Sequence, residues 1–224
     1  MSIRLEPLLD LKPHEETVHS EVKKIKEDLL STGVQKTHLI VDEESRVILD
    51  GTHRHRAMAE IGLRYTVTYA VRYLQPEILV KRWLPCTQRA DLSLIKESRA
   101  LSSEIVESSL AISAVDELKA SFALLTKEGC YLSAPTFISI FESYWIGWRL
   151  FQNTAYAIEF SADTEPIESL LKRFELILYR PTVSKKEVVL NASEGSLFPP
   201  KSTRHILPFK PKDICFRLLY LKGG

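Results

Sequence analysis

Three short runs in the 224-residue chain concentrate side chains that can do chemistry. The first is Asp50-Gly51-Thr52-His53-Arg54-His55-Arg56. Glycine lets the backbone come close to a ligand. Amides at the start of a following helix point outward without partners, and the helix dipole favours an anion there. Thr52, His53 and Arg54 add side-chain donors at the same place. Backbone amides with mobile cationic donors are what a di- or triphosphate needs. Asp50, at a strand end, suits Mg²⁺, a hard ion that takes carboxylates, water and phosphate oxygens. The same run also suits a polar turn, with Asp50 as a cap and two surface histidines.

The second run is His14-Glu15-Glu16, just ahead of a helical pattern. Two carboxylates there compensate a helix dipole. A positioned carboxylate can equally take the proton of a hydroxyl, which is a poor nucleophile until that happens. The third run, Lys201-Ser202-Thr203-Arg204-His205, follows Pro199-Pro200. Its three potential cations and two hydroxyls suit a carboxylate or a phosphate, or form a solvated basic loop. The prolines stiffen the approach. A histidine metal site is disfavoured, because His53 and His55 fall on different helix faces and no third ligand has diagnostic spacing. There is no Walker loop, protein-kinase signature or nucleophile elbow.

The elements that must position these residues are clearest in the first 85 positions. Ile3 to Leu11 reads as extended. Val18, Val22, Ile25 and Leu29 make one apolar helical stripe, closed by Gly33. His38–Val41 and Val47–Leu49 read as strands around the polar turn Asp42–Ser45. The second strand runs straight into the Asp50–Arg56 run, after which Ala57, Met58 and Ile61 give a short helix ended by Gly62. Tyr65 to Tyr73 alternates strictly and is a strand. Glu77 to Leu84 is extended and ends at Pro85.

Further on, Leu92 to Ile112 reads as helical. Ala114 to Thr126 fits either a helix or one arm of a hairpin turning at Lys127-Glu128-Gly129. Pro135 to Gln152, with Phe137, Phe141, Trp145 and Trp148, reads as a core helix. Ala155–Phe160 and Leu176–Tyr179 read as strands, and Pro166–Phe174 as a helix. Ser184 to Glu187 has the capping-box spacing. Gly195 to His205 is a loop, and the segment around Ile214 to Leu221 is strand-like.

Composition bounds the partners. Thirty Lys and Arg against 29 Asp and Glu give a net charge of +1, which disfavours nonspecific DNA coating. No apolar run approaches the ~18 residues that span a bilayer, and the early acidic residues are unlike a secretory signal. Cys86, Cys130 and Cys215 form no disulfide framework, which fits free thiols in a reducing cytoplasm.

The run Val47 to Arg54, followed by Ala57, resembles the phosphate-binding box of the ParB/sulfiredoxin superfamily. Within it, Pro13-His14-Glu15, Asp50 to Arg54 and Leu197 to His205 are most similar to the "PHE", "DGTHR"-like and "LFPPKSTRH"-like segments of the archaeal-type free L-serine kinases. The resemblance covers residues 1–85 and, less closely, 175–212. A sulfiredoxin has its catalytic cysteine where Thr52 stands. ParB proteins carry G-E-R-R-x-R-A, echoed by Gly51, Arg54, Arg56 and Ala57 but not by Thr52-His53.

The resemblance implies a mixed α/β (α+β) fold. A ParB/sulfiredoxin-like N-terminal domain would span 1–88, and a second mixed α/β region over 89–224 would complete the substrate site. It implies phosphoryl transfer from ADP or ATP to free L-serine, giving O-phospho-L-serine for cysteine biosynthesis. Glu15 would be the base, with Glu16 as second choice. Gly51, Thr52, His53 and Arg54 would cradle the nucleotide phosphates and the migrating group, and Asp50 would place Mg²⁺. Lys201, Ser202, Thr203, Arg204 and His205 would bind the serine carboxylate or the product phosphate. The expected partners are serine and nucleotide, without nucleic acid or membrane, in a monomer or homodimer. The alternatives are a ParB-like nucleotide-dependent DNA-binding regulator and a noncatalytic nucleotide or phosphoserine sensor.

Overall fold

The computed structural model describes residues 2–134, 138–208 and 211–223. The described chain forms two compact units. The first holds the residues up to Val80, Ser184–Pro200 and the segment from His205; the second holds Lys81–Val183 and Lys201–Arg204. The units are therefore discontinuous in sequence, unlike the division into 1–88 and 89–224. Backbone bonds explain the return of the C-terminal part to the first unit. Phe198 N donates to His14 O at 2.9 Å, Leu218 N to Gly33 O at 2.9 Å, and Arg64 N to Leu221 O at 2.9 Å.

In the first unit, β1 (Ser2–Pro7) is followed by α1 (His19–Thr32), β2 (Val34–Gln35), β3 (Leu39–Asp42), β4 (Ile48–Asp50), α2 (Thr52–Glu60) and β5 (Tyr65–Val71). The sheet order is β1-β5-β3-β4. β5 runs antiparallel to β1 and parallel to β3, while β3 and β4 are antiparallel. Every β5 residue after Tyr65 is buried, although the strand alternates in sequence. A central strand covered on both faces has no solvent side. The α1 stripe lands as read: Val22 and Leu29 are buried with Leu8, Leu39, Ile48 and Met58 in one core. Gly33 caps α1 in the left-handed conformation, φ 68°, and its N–H donates to Leu29 O.

The second unit contains β6 (Leu79–Thr87) from Lys81 onward, α3 (Leu92–Lys96), β7 (Leu101–Val106), α4 (Ser108–Asp116), β8 (Ala123–Leu125), β9 (Cys130–Ser133), α5 (Ile140–Thr154), β10 (Glu159–Ala162), α6 (Ile167–Arg173) and β11 (Leu176–Tyr179). Its sheet follows β10-β6-β11-β8-β9-β7. Two expectations are corrected and one open alternative is settled. Leu92 to Ile112 is not one helix: β7 splits it and pairs with β9. Serine hydroxyls here bind nearby backbone instead of leaving it helical, Ser98 Oγ accepting from Ala100 N and Ser102 Oγ from Glu104 N. Ala114 to Thr126 resolves into the end of α4 and the first arm of the β8–β9 hairpin. β6 runs through Pro85 to Thr87, with Pro85 opposite Phe160 of β10.

Helix α5 is the expected core helix, with Tyr144, Trp148 and Phe151 buried. Trp148 packs nearly parallel to Phe151 and Phe160 at 6.4 and 6.1 Å between ring centres. Phe137, expected in the same helix, lies outside the described residues. The chain then passes through α7 (Lys185–Ser193), where Ser184 and Glu187 form both capping-box bonds, β12 (Thr203–Ile206) and β13 (Phe216–Arg217). The strand-like C-terminal segment shortens to β13 and one 3₁₀ turn. Cys86, Cys130 and Cys215 are all free; burial pushes the Cys86 thiol up to about 12. Among the described residues no helix is long and apolar enough to cross a membrane.

Candidate active site

The Asp50–Arg54 run is the junction between β4 and α2, inside the first unit. Gly51 is the N-cap of α2 with φ 102°. A Cβ built there would lie 2.6 Å from Leu39 Cδ2 and 3.2 Å from Arg54 Nη2, so the turn has room for glycine only. No side chain caps α2, and its first turn holds no acidic residue. That helix start is thus open to an anion. Arg54 folds back beneath the turn. Its Nη2 donates to His38 O at 3.3 Å and lies 3.7 Å from Asp50 Oδ2. Burial pulls its pKa below the ordinary arginine value and Asp50 opposes this; the guanidinium stays cationic at neutral pH. The Asp50 side chain is 64% exposed, so its carboxylate is available at the surface of the turn.

Backbone pairing brings the second cluster to the same place. Lys12 bridges Val47 in parallel, Ile48 N donates to Lys12 O, and Glu15 bridges Phe198. Residues 12–16 are therefore held between the strand leading to Asp50 and the Leu197-Phe198 segment. His14 is buried and its Nδ1 meets Ile48 O at 2.8 Å. Its Nε2 lies 3.4 Å from Glu15 Oε1. Glu15 is only 8% exposed, whereas Glu16 is exposed. Glu15, Glu16, Thr52, Arg56, Leu9 and Leu197 are among the residues lining one cleft of about 460 Å³.

The two histidines of the run are structurally engaged. His53 Nε2 accepts the Val18 backbone N–H at 3.0 Å. His55 Nε2 bonds Leu8 O at 2.9 Å, and burial lowers its pKa.

The third cluster divides between the units. His205 belongs to the first, where its Nε2 lies 2.7 Å from Tyr73 Oη and its ring meets His14 edge-on at 5.4 Å. Burial, then His14, push its pKa down to about 3. Lys201 to Arg204 belong to the second. There Ser202 and Thr203 are buried, Lys201 Nζ lies 5.0 Å from the Phe160 ring centre, and Arg204 pairs with Asp163 at 3.5 Å. The residue that sequence reasoning missed is Tyr73: nothing in its neighbourhood along the chain marks it, and its partner lies 132 positions away.

No protein-family model matches the chain. It is 21% identical to the ADP-dependent L-serine kinase SerK of Thermococcus kodakarensis, over 93% of this chain and 88% of that protein. It is 26% identical to an ATP-dependent L-serine kinase of Staphylothermus marinus, over 92% and 88%. It is 28% identical to a ParB-like protein of Sulfolobus acidocaldarius, over 89% and 87%. Among solved structures, a free serine kinase variant with a glutamate replaced by alanine, in complex with ADP, superposes with a TM-score of 0.79. That match has 20% identity and covers 99% of this chain and 94% of the other. The fold is that of the free serine kinases. Within the free serine kinase fold of this chain, the "PHE" and "DGTHR" segments and Leu197-Phe198 converge in the first unit, as the backbone bonds above establish.

Proposed function

We propose that the chain is a nucleotide-dependent L-serine kinase, a phosphotransferase with an alcohol as acceptor. One observation carries the reading: Glu15 and Thr52 line a single cleft, so a buried carboxylate and a helix start open to anions share one space. The serine kinases among its relatives support it.

The steps follow from these residues. The nucleotide phosphates sit on the α2 amides, with Thr52 and Arg54 as further donors. Glu15 takes the proton of the serine hydroxyl as the O–P bond forms and the bridging P–O bond of the donor breaks. The leaving group is AMP from ADP or ADP from ATP. Phosphoryl transfer asks mainly for in-line positioning and charge stabilisation. His53 acts by holding the α1 start against the phosphate turn, since its Nε2 is committed to Val18. Lys201, Ser202, Thr203 and Arg204 are the proposed holders of the serine carboxylate or product phosphate; His205, with Nε2 taken by Tyr73 and its pKa held low, is left to a supporting role. O-phospho-L-serine made this way would feed cysteine synthesis.

Among the described residues no cluster of three His, Cys, Asp or Glu side chains forms a metal cage. One exposed carboxylate, Asp50, fits Mg²⁺ held chiefly by phosphate oxygens and water. When bound, the ion would neutralise phosphate charge.

The test is incubation with L-serine, Mg²⁺ and either ADP or ATP, followed by phosphorus NMR. A phosphoserine signal supports the reading, and the nucleotide product names the donor. A second reading, a nucleotide-dependent DNA-binding regulator, is favoured by the ParB-like relative. The net charge of +1 speaks against it. A salt-sensitive shift of DNA mobility without phosphoserine would select it.

A further inference from the structure

His14 and His205 have different hydrogen-bond surroundings. The Ile48 carbonyl only accepts, so His14 Nδ1 carries a hydrogen. The opposite nitrogen, Nε2, faces Glu15 Oε1 at 3.4 Å. The His14 ring therefore stands between the Ile48 carbonyl and the Glu15 carboxylate.

His205 is met by a different group. Tyr73 Oη lies 2.7 Å from His205 Nε2. Burial, Asp42 and Glu15 all push the phenol above its ordinary range, so it keeps its hydrogen and can donate it. The other ring nitrogen, Nδ1, is buried without a partner at hydrogen-bond distance, and the Leu49 backbone is the polar group beside it. The remaining charged groups nearby are Asp42, whose Oδ1 accepts from Tyr73 N at 3.0 Å, and Lys185, whose Nζ stands 5.7 Å from the Tyr73 ring centre and bonds Gln75 O.

We propose that Tyr73 is a positioning residue: its hydroxyl donates to His205 Nε2, fixes that ring as the Nδ1–H tautomer, and holds it edge-on against His14, the neighbour of Glu15. This rests on Glu15 as the base of the kinase reaction. The fixed His205 ring backs the His14 ring, His14 Nε2 lies 3.4 Å from Glu15 Oε1, and the carboxylate keeps a fixed direction toward the hydroxyl it deprotonates.

The experiment uses the whole protein labelled with ¹⁵N-histidine, without nucleotide, with His205 signals assigned by their loss in His205→Gln. At pH 7 the wild-type His205 should show a pyridine-like Nε2 and a pyrrole-like Nδ1. A pyridine-like Nδ1, or a charged His205, overturns the proposal, and the wild-type spectrum decides this without any Tyr73 variant. Tyr73→Phe should then mix the His205 tautomers and lower kcat roughly tenfold to a hundredfold, with the nucleotide KM within about twofold. Unchanged tautomers and kcat in that variant also overturn the proposal. A wild-type protein with the expected tautomers and no phosphoserine overturns the kinase reading and keeps the positioning. Phosphoserine formed with reversed tautomers overturns the positioning alone.

Discussion

The Val18 backbone N–H donates to Nε2 of His53 at 3.0 Å, joining the start of α1 to the first turn of α2. Val18 is the N-cap residue of α1 and offers no side-chain acceptor of its own. His53 therefore accepts, from another helix, the N-cap N–H that a Glu or Gln in the first turn accepts in a capping box. His53→Ala should cost about 1 kcal/mol of stability, read as a lower urea midpoint at unchanged m. An unchanged midpoint would show that the cap is dispensable.

Glu15 and Glu16 are adjacent in sequence and line the same cleft, but Glu15 is buried beside His14 and Glu16 is exposed. Glu15→Gln should lower kcat about 10²- to 10⁴-fold, with the nucleotide KM little changed. Glu16→Gln should stay within about threefold of wild type, because an exposed carboxylate lacks a fixed direction. Steady-state kinetics on both variants separate the two; a larger loss in Glu16→Gln would transfer the base role.

Gly51→Ala places a methyl 2.6 Å from Leu39 Cδ2 at φ 102°. The backbone penalty alone is about 1–3 kcal/mol, and relief of the clash must move the phosphate turn. The expected result is a lower melting temperature together with weaker nucleotide binding by calorimetry. Wild-type affinity in this variant would mean that the turn does not hold the phosphates.

His205 has its pKa pushed down to about 3 by burial, then by His14, against about 6.5 in an unfolded chain. Between these values the unfolded chain binds the proton and the folded one does not. The stability tied to the neutral ring is complete above pH ~6.5 and is lost as pH falls toward 3, by at most about 1.4 kcal/mol per unit. His38 and His55 are also lowered by burial, so the wild type alone does not isolate His205. The stability gap between wild type and His205→Gln should therefore shrink from pH 7 to pH 4.5 in urea titrations. A constant gap would contradict a ring kept neutral in the folded protein.

The first unit was legible because its chemistry is local. The α1 stripe, the Gly33 cap and the strand-to-helix turn at Gly51 each follow from residues a few positions apart, and the structure has all three. The convergence of Glu15 with Phe198 was carried by motif order, not by local pattern. Leu92 to Ile112 misled because its aliphatics fit a helix while its serines compete for the backbone. The Lys201–His205 run reads as one basic cluster, yet Arg204 pairs with Asp163 and His205 with Tyr73. Such long-range pairing leaves no periodic trace. For the same reason Tyr73 reads only as the last residue of an alternating strand.

The most direct measurement is phosphorus NMR of the wild-type protein and Glu15→Gln, each with L-serine, Mg²⁺ and either ADP or ATP. The account predicts phosphoserine with wild type, together with AMP or ADP, and almost none with Glu15→Gln at equal nucleotide binding. Phosphoserine at wild-type rate from Glu15→Gln would contradict the buried base. No phosphoserine from folded, nucleotide-binding wild type would contradict the kinase itself.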